Sequence, residues 1–335
     1  MKTFQKNLNK EIKTDIPKEI RDVIIDLLSY LRDHGYFINK YIKKINAADF
    51  FLATEKNFKY NVEYKGTITV SNTPLLGGFY KSFERYDSDI DKVVMVKEIV
   101  VVRKSEKIFD IRGRIMHEVL HLLSSSDVYE SNGKYYNESG LFQCLYVKQG
   151  GSKVKIACLT EDIVINEAIT DMLRFKLMEE IYGVPYGTYK DFEGNVKHYN
   201  SGYFLIANMM QIFDLAFVGS TDVTKLLKIY LTNNQRKFFK LVEKKIGLDK
   251  SSTRNIFMNL FTKRQTLAKI DNEEQYVKFV FEELYSDYYK VISNMCSRLN
   301  YPQLKTFKEY FEALPEISVY MVIKNSLLEK INSYI

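Results

Sequence analysis

His117 and His121 stand four residues apart in RIMHEVLHLLSSSD, residues 114–127, and Glu118 follows the first of them. On a helix, positions four apart lie one above the other on the same face. Two imidazoles placed so can meet one Zn2+ while the backbone stays regular. Glu118 falls about a third of a turn away, off the metal but within reach of a water on it. Zinc lowers the pKa of such a water, and a neighbouring carboxylate can take its proton. The chain holds only four histidines, so two on one helical turn need a reason. Ile115, Met116, Val119, Leu120, Leu122 and Leu123 surround the three polar residues. The helix should therefore be largely buried, and polar groups there cost heavily unless a metal and partners satisfy them.

Two residues compete for a third ligand position. Asp127 has the spacing of an HExxHxxGxxH/D pattern, but position 124 is serine, which lacks the freedom that lets a glycine turn the chain back. Glu167 and Asp171 lie further on, in INEAITDML, four apart and so on one helix face. Glu167 can supply an oxygen to zinc. Asp171 can accept a hydrogen bond from the non-coordinating nitrogen of a ligand histidine and fix its tautomer. Asn166, beside them, can tie backbone between two helices. A solvated helix face would also explain these acids, but Ile163, Val164, Ile165, Ala168, Ile169, Met172 and Leu173 make that helix apolar.

The elements that must position these residues are legible as periodicities. Residues 17–33 read as an amphipathic helix opened by Pro17, with Ile20, Val23, Ile24, Leu27, Leu28 and Leu31 on one stripe and Gly35 beyond its end. His34 there suits the negative end of the helix dipole, which is reason enough for it. A short helix is expected near residues 38–46. KYNVEYKGTITVSN, GGFYKSF and KVVMVKEIVVV read as strands. Asp110 suits the N-cap of the histidine helix. After it come the polar stretch SSSDVYESNGKYYNESG and then LFQCLYVKQGGSKVKIACL, two strand-like runs around Gly150-Gly151. Helices follow at residues 162–182 and from Tyr203, and the chain from Thr221 onward reads as mostly helical.

Composition bounds the rest. The chain is 335 residues, 46% hydrophobic and 27% charged, which is globular and not disordered. No apolar run approaches the ~18 residues that cross a membrane. The N-terminus shows no apolar secretory segment, so a cytoplasmic protein is expected. Cys144, Cys158 and Cys296 are widely spaced and read as reduced buried thiols. The net charge of +7 is concentrated toward the C-terminus, with a dense run, RKFFKLVEKKIGLDKSSTR, at residues 236–254. Such a run can meet nucleic acid, but a solvated helix face is the simpler reading.

HEVLH followed by NEAITD closely resembles the HExxH…NExx(S/T)D signature of the gluzincins, the thermolysin-like zinc metallopeptidases. The resemblance spans residues 117–171 and rests on two separated motifs that agree. It implies that His117, His121 and Glu167 ligate zinc, that Glu118 is the base and that Asp171 steadies a ligand histidine. The long insert between the motifs departs from thermolysin itself and implies a distinct branch. TITVSN, GGFY and KVVMV sit where the family has the sheet whose edge strand binds substrate.

The implied fold is α+β, a zincin-like core of mixed sheet plus HExxH helix with a largely helical C-terminal subdomain. The expected boundaries are an N-terminal helical segment over 1–60, the catalytic core over 61–220 and the helical subdomain over 221–335. The implied activity is hydrolysis of peptide bonds through a zinc-bound water activated by Glu118. Its oxyanion donor would come from Tyr203, Tyr199 or His198, and its substrate would be an extended peptide or protein segment. Neither a membrane nor nucleic acid is expected as partner. The rival expectations are a zinc hydrolase of a non-protein amide and an inactive zincin-fold binding protein.

Glu167 and Asp127 predict opposite outcomes. With Glu167 as ligand, Glu167→Ala opens a coordination position and Asp127→Ala leaves zinc binding near normal. Asp171→Ala then loses about 10–100-fold in affinity or activity. Zinc lost from Asp127→Ala but kept by Glu167→Ala would refute the family assignment.

Overall fold

Pro17, at φ −50 and ψ 139, turns an extended approach into the first helix of the core. That helix, Lys18–Asp33, buries Ile20, Val23, Ile24, Leu27, Leu28 and Leu31, the stripe that the spacing predicts. Each such side chain contributes roughly 1.5–3 kcal/mol on burial. Gly35, at φ +79, ends it, and the Gly35 and Tyr36 amides close back on the carbonyls of Arg32 and Leu31. A left-handed residue at that position suits glycine, which has no Cβ to clash. His34 is exposed, lies 2.8 Å by Nδ1 from the Tyr30 carbonyl and stacks on the Tyr30 ring.

The computed structural model describes residues 2–13, 15–54, 78–87, 92–103, 111–126, 129–132, 134–149, 152–158, 160–190, 196–198, 202–218, 224–267, 269–270, 272–313 and 318–335. Over these residues the fold is α+β. It divides into two compact units, one of Met1–Ser139, Cys144–Ala157 and Arg174–Lys197, the other of Gly140–Gln143, Cys158–Leu173 and His198–Ile335. No helix among the described residues is long and apolar enough to cross a membrane.

In the first unit, α1 (Lys2–Glu11), α2 (Lys18–Asp33) and α3 (Asn39–Asn46) precede β1 (Ala48–Thr54), β2 (Gly78–Asp87) and β3 (Lys92–Arg103). The sheet order is β1-β3-β2. β1 runs parallel to β3, with Ala48 opposite Lys97, and β2 runs antiparallel to it, with Gly78 opposite Val101. The sheet is therefore mixed. α4 (Ile111–Ser124) carries HEVLH and packs on β2, β3, α2 and α3.

β4 (Tyr129–Ser131), β5 (Lys134–Ser139), β6 (Phe142–Gln149) and β7 (Ser152–Cys158) form a second sheet in that order. β6 and β7 are the strands expected around Gly150-Gly151. β1, β4 and β5 are not in the sequence reading. ADFFLAT is apolar without alternation, and Tyr129, Glu130 and Ser131 of β4 are exposed, so their strand carries no buried face to betray it. KYNVEYKGTITVSN and Asp110 lie outside the described residues.

α5 (Thr160–Tyr182) supplies its first part to the second unit and its last turns to the first. The small β8 (Thr188–Lys190) and β9 (Val196–His198) pair after it. The second unit continues with α6 (Gly202–Val218), which is buried throughout residues 205–217. The remainder is helical, as expected: α7 (Thr224–Leu231), α8 (Gln235–Ile246), α9 (Lys250–Leu267), α10 (Glu273–Phe279), a π-helical turn at Val280–Leu284, α11 (Tyr285–Cys296), α12 (Tyr301–Ala313) and α13 (Ser318–Asn332). Cys296 is buried, and burial pushes its thiol up to about 12.

The basic run forms α8 and the start of α9. Phe238, Val242 and Ile246 turn inward while Arg236, Lys237, Lys240 and Lys244 are exposed, the solvated face that the spacing predicts. Arg254 departs from that pattern and makes two hydrogen bonds to the buried carboxylate of Asp162, at 2.8 and 2.7 Å.

Within the first unit, the Tyr182 hydroxyl at the end of α5 donates to Asp26 of α2 at 3.0 Å. The Arg112 guanidinium, in the first turn of α4, lies over the Tyr182 ring. Burial lifts the Asp26 carboxyl above its ordinary 3.8, with Asp22 pushing the same way, against the Tyr182 hydrogen bond and the Arg112 charge. A carboxyl raised in the folded state favours folding while protonated. Its stabilisation is present below the unfolded value and is lost as pH rises through the higher folded one. Asp26→Asn keeps an acceptor for Tyr182 and removes the titration. Its thermal midpoint should exceed wild type at neutral pH, with the advantage gone below pH 3.8. An offset that is the same at both pH values would show that Asp26 ionisation is not involved.

Candidate metal centre

α4 is the most deeply set helix of the first unit. Ile115, Met116, Val119, Leu120, Leu122 and Leu123 are all fully buried, so most of the helix circumference is apolar and packed. His121 is 5% exposed and Glu118 7%, while His117 is half-buried. The two imidazoles come together edge to face, with ring centroids 4.7 Å apart and planes at 75°.

Their Nε2 atoms are 3.0 Å apart. With a zinc–nitrogen length of about 2.0–2.1 Å, that separation subtends roughly 90–100° at a shared ion. A regular tetrahedron asks for a few tenths of an ångström more, well within a small ring rotation. The donor set fits a divalent ion of zinc type, since imidazole nitrogen is an ordinary ligand for it. Without an ion the same spacing serves an N–H···N hydrogen bond, with one Nε2 donating and the other accepting.

Glu118 completes the group. One ligand atom from each of His117, Glu118 and His121 falls within 4.8 Å of the others. That reach suits a carboxylate working on a water beside the histidine nitrogens. A carboxylate this buried is stable only with a partner.

The helix ends immediately after the group, and its ending is fully furnished. The last carbonyls of a helix have no intrahelical donors and must find others. The His121 carbonyl accepts from the Ser124 hydroxyl at 3.0 Å and from the Ser139 hydroxyl at 3.2 Å. The Leu122 carbonyl accepts from the Ser125 amide at 3.1 Å and the Ser125 hydroxyl at 2.8 Å. Lys44 of α3 donates to the Leu123 carbonyl at 2.6 Å and to the Ser125 carbonyl at 2.5 Å.

The chain then pairs at once with β5. Ser125 bridges Ser139, the Ser126 amide donates to the Glu138 carbonyl at 2.7 Å, and the Ser126 hydroxyl accepts from the Glu138 amide at 2.9 Å. The run Ser124-Ser125-Ser126 thus has one capping or pairing role per residue. Such a run after a helix is a signal of side-chain-to-backbone bonding. Lys44 has no local signal, since 79 residues separate it from Leu123.

NEAITD lies on the part of α5 that belongs to the second unit. Its polar residues fall into two stripes. Asp162, Asn166 and Thr170, spaced by four, are buried and tied within that unit. Asp162 holds Arg254 and Gln235, Asn166 accepts from the Leu141 amide at 2.8 Å, and Thr170 meets the Tyr230 hydroxyl at 2.7 Å. Asn166 and Tyr230 also crowd Gly140, at φ +59, where any Cβ would strike them. Glu167 and Asp171 form the neighbouring stripe, the first half-buried and the second 4% exposed.

Of the other sequence candidates, His198 ends β9 and Tyr203 stands in the first turn of α6. Tyr199 and Asp127 lie outside the described residues. The one group of three or more metal-ligating side chains found among the described residues is His117, Glu118 and His121. No protein-family model matches this chain, and neither a curated protein nor a solved structure matches it, so the site is read from its own geometry and motif.

Proposed function

We propose that this chain is a zinc-dependent metallopeptidase of gluzincin type, hydrolysing peptide bonds in an extended substrate. The observation that carries the reading is the His117–His121 Nε2 pair at 3.0 Å with the buried Glu118 carboxylate alongside. A mixed sheet with the HEVLH helix packed against two of its strands supports a zincin-like core.

When bound, zinc supplies Lewis acidity, which lowers the pKa of a water and polarises the scissile carbonyl. His117 and His121 would hold the ion through Nε2, each ring then keeping its proton on Nδ1. Glu118 takes a proton from the attacking water as its oxygen bonds to the carbonyl carbon. It then delivers that proton to the amine nitrogen as the carbon–nitrogen bond breaks. By the resemblance of NEAITD, Glu167 would be the third ligand and Asp171 would steady a ligand imidazole. The oxyanion donor is assigned to Tyr203, Tyr199 or His198.

The retained Glu118 favours an enzyme over an inactive binding protein, because a purely structural ion needs no base. The purified chain should carry about one zinc, and His117→Ala or His121→Ala should strip it. Glu118→Gln should keep the ion yet lose cleavage across an unbiased peptide library. Unchanged zinc content in both histidine variants would end the proposal, and cleavage surviving in Glu118→Gln would remove the base.

A further inference from the structure

His121 sits in the last turn of α4, the part of any helix most prone to fray. A chelating pair works only while both nitrogens hold their spacing, so what fastens that turn bears on the metal. Two groups from outside the helix reach it. The Ser139 hydroxyl, on β5, donates to the carbonyl of His121 itself. The Lys44 ammonium, on α3, spans the Leu123 and Ser125 carbonyls, clamping the last helical turn to the first residue beyond it. We propose that Lys44 and Ser139 are positioning residues of the metal centre. They hold the turn that carries His121 and so set the His117–His121 Nε2 spacing. The inference rests on the metal-binding reading above.

Lys44 acts in two opposed ways. Its charge lies at the negative end of the helix dipole, where it lessens the pull of that end on a cation at His121. By charge alone, removing it would tighten metal binding. By geometry, removing it leaves two carbonyls without their donor and frees the turn, which weakens binding. The geometric effect dominates here, because chelation needs both nitrogens at once and the Leu123 and Ser125 carbonyls belong to buried residues that lose their lysine donor, a larger loss than one charge beside the helix dipole. The sign of the change therefore reports which role Lys44 has.

The test is Zn2+ affinity of the full chain, measured by competition with a chromogenic chelator. Lys44→Met should weaken zinc about 10–100-fold, the range for groups that orient a ligand histidine. Lys44→Arg, which keeps charge and donors, should return to within a few-fold of wild type. Lys43→Met, an exposed neighbour on the same helix, should match wild type. Leu8→Ala, a core truncation in α1, which packs on α2, should lower the thermal midpoint while leaving zinc affinity unchanged, which separates positioning from general stability. The visible spectrum of the Co2+-loaded Lys44→Met chain should differ from wild type in shape as well as occupancy. Wild-type or tighter zinc binding by Lys44→Met overturns the proposal. If Lys44→Met does not fold, Ser139→Ala decides: several-fold weaker zinc supports the proposal and unchanged affinity overturns it. A wild-type chain that binds no zinc would refute the metal centre itself, an outcome distinct from a wild type that binds while both variants bind equally well.

Discussion

Two imidazoles and a carboxylate carried on one apolar helix are the constraint around which the first unit is organised. Burial of such groups is costly unless each finds a partner. Leucine, isoleucine, valine and methionine cover most of the surface of α4, so the helix cannot be rotated outward to relieve its polar residues. It can only be held still. Arg112 over Tyr182, with Asp26 behind, holds its first turn, and Lys44 with Ser124, Ser125 and Ser139 holds its last. A helix fixed at both ends presents His117 and His121 at a single spacing, which is what a preorganised ligand pair requires.

The second unit treats α5 in a comparable way by other means. Side chains fasten that helix at intervals of four residues: Asp162 to Arg254 and Gln235, Asn166 to the Leu141 amide, Thr170 to Tyr230. Buried polar groups that are mutually satisfied specify one arrangement, because any slip leaves several unpaired at once. The stripe carrying Glu167 and Asp171 is adjacent and shares that fixed rotation. Within NEAITD, then, Asn166 and Thr170 anchor the helix, and Glu167 and Asp171 lie on the neighbouring stripe.

The motif is legible in the sequence because its meaning is local. A spacing of four in an apolar helix already says that two imidazoles share a face. The buried stripe of α2, the stop at Gly35 and the helical C-terminal half are legible for the same reason, being periodicities within one element. What sequence reading misses is long-range or unpatterned. Lys44 meets Leu123 and Ser125 through packing of α3 on α4, and nothing in NKYIKKIN singles it out from Lys43. β1 passes unnoticed because its short apolar run lacks alternation. β4 and β5 hide in a polar stretch because β4 is exposed and Ser139, which β5 buries, is itself polar, although Asn132, at φ +51 between Ser131 and Lys134, marks a tight hairpin turn. Arg254 reads as one more charge in a basic run, and only its pairing with Asp162 shows otherwise.

The parallel pairing of β1 with β3 carries a consequence for how the chain folds. Parallel neighbours cannot be joined by a tight turn, so Ala48 meets Lys97 only after everything between them has been drawn round. Long-range closure of that kind sets the slow step in folding, whereas a helix coils in about a microsecond. α4, a helix of 14 residues, is marginal by itself and takes its stability from the sheet that seats it. His117 and His121 therefore keep a fixed spacing only once that closure is complete. An ion that bound this pair would favour the seated helix by mass action, linking metal supply to the stability of the sheet.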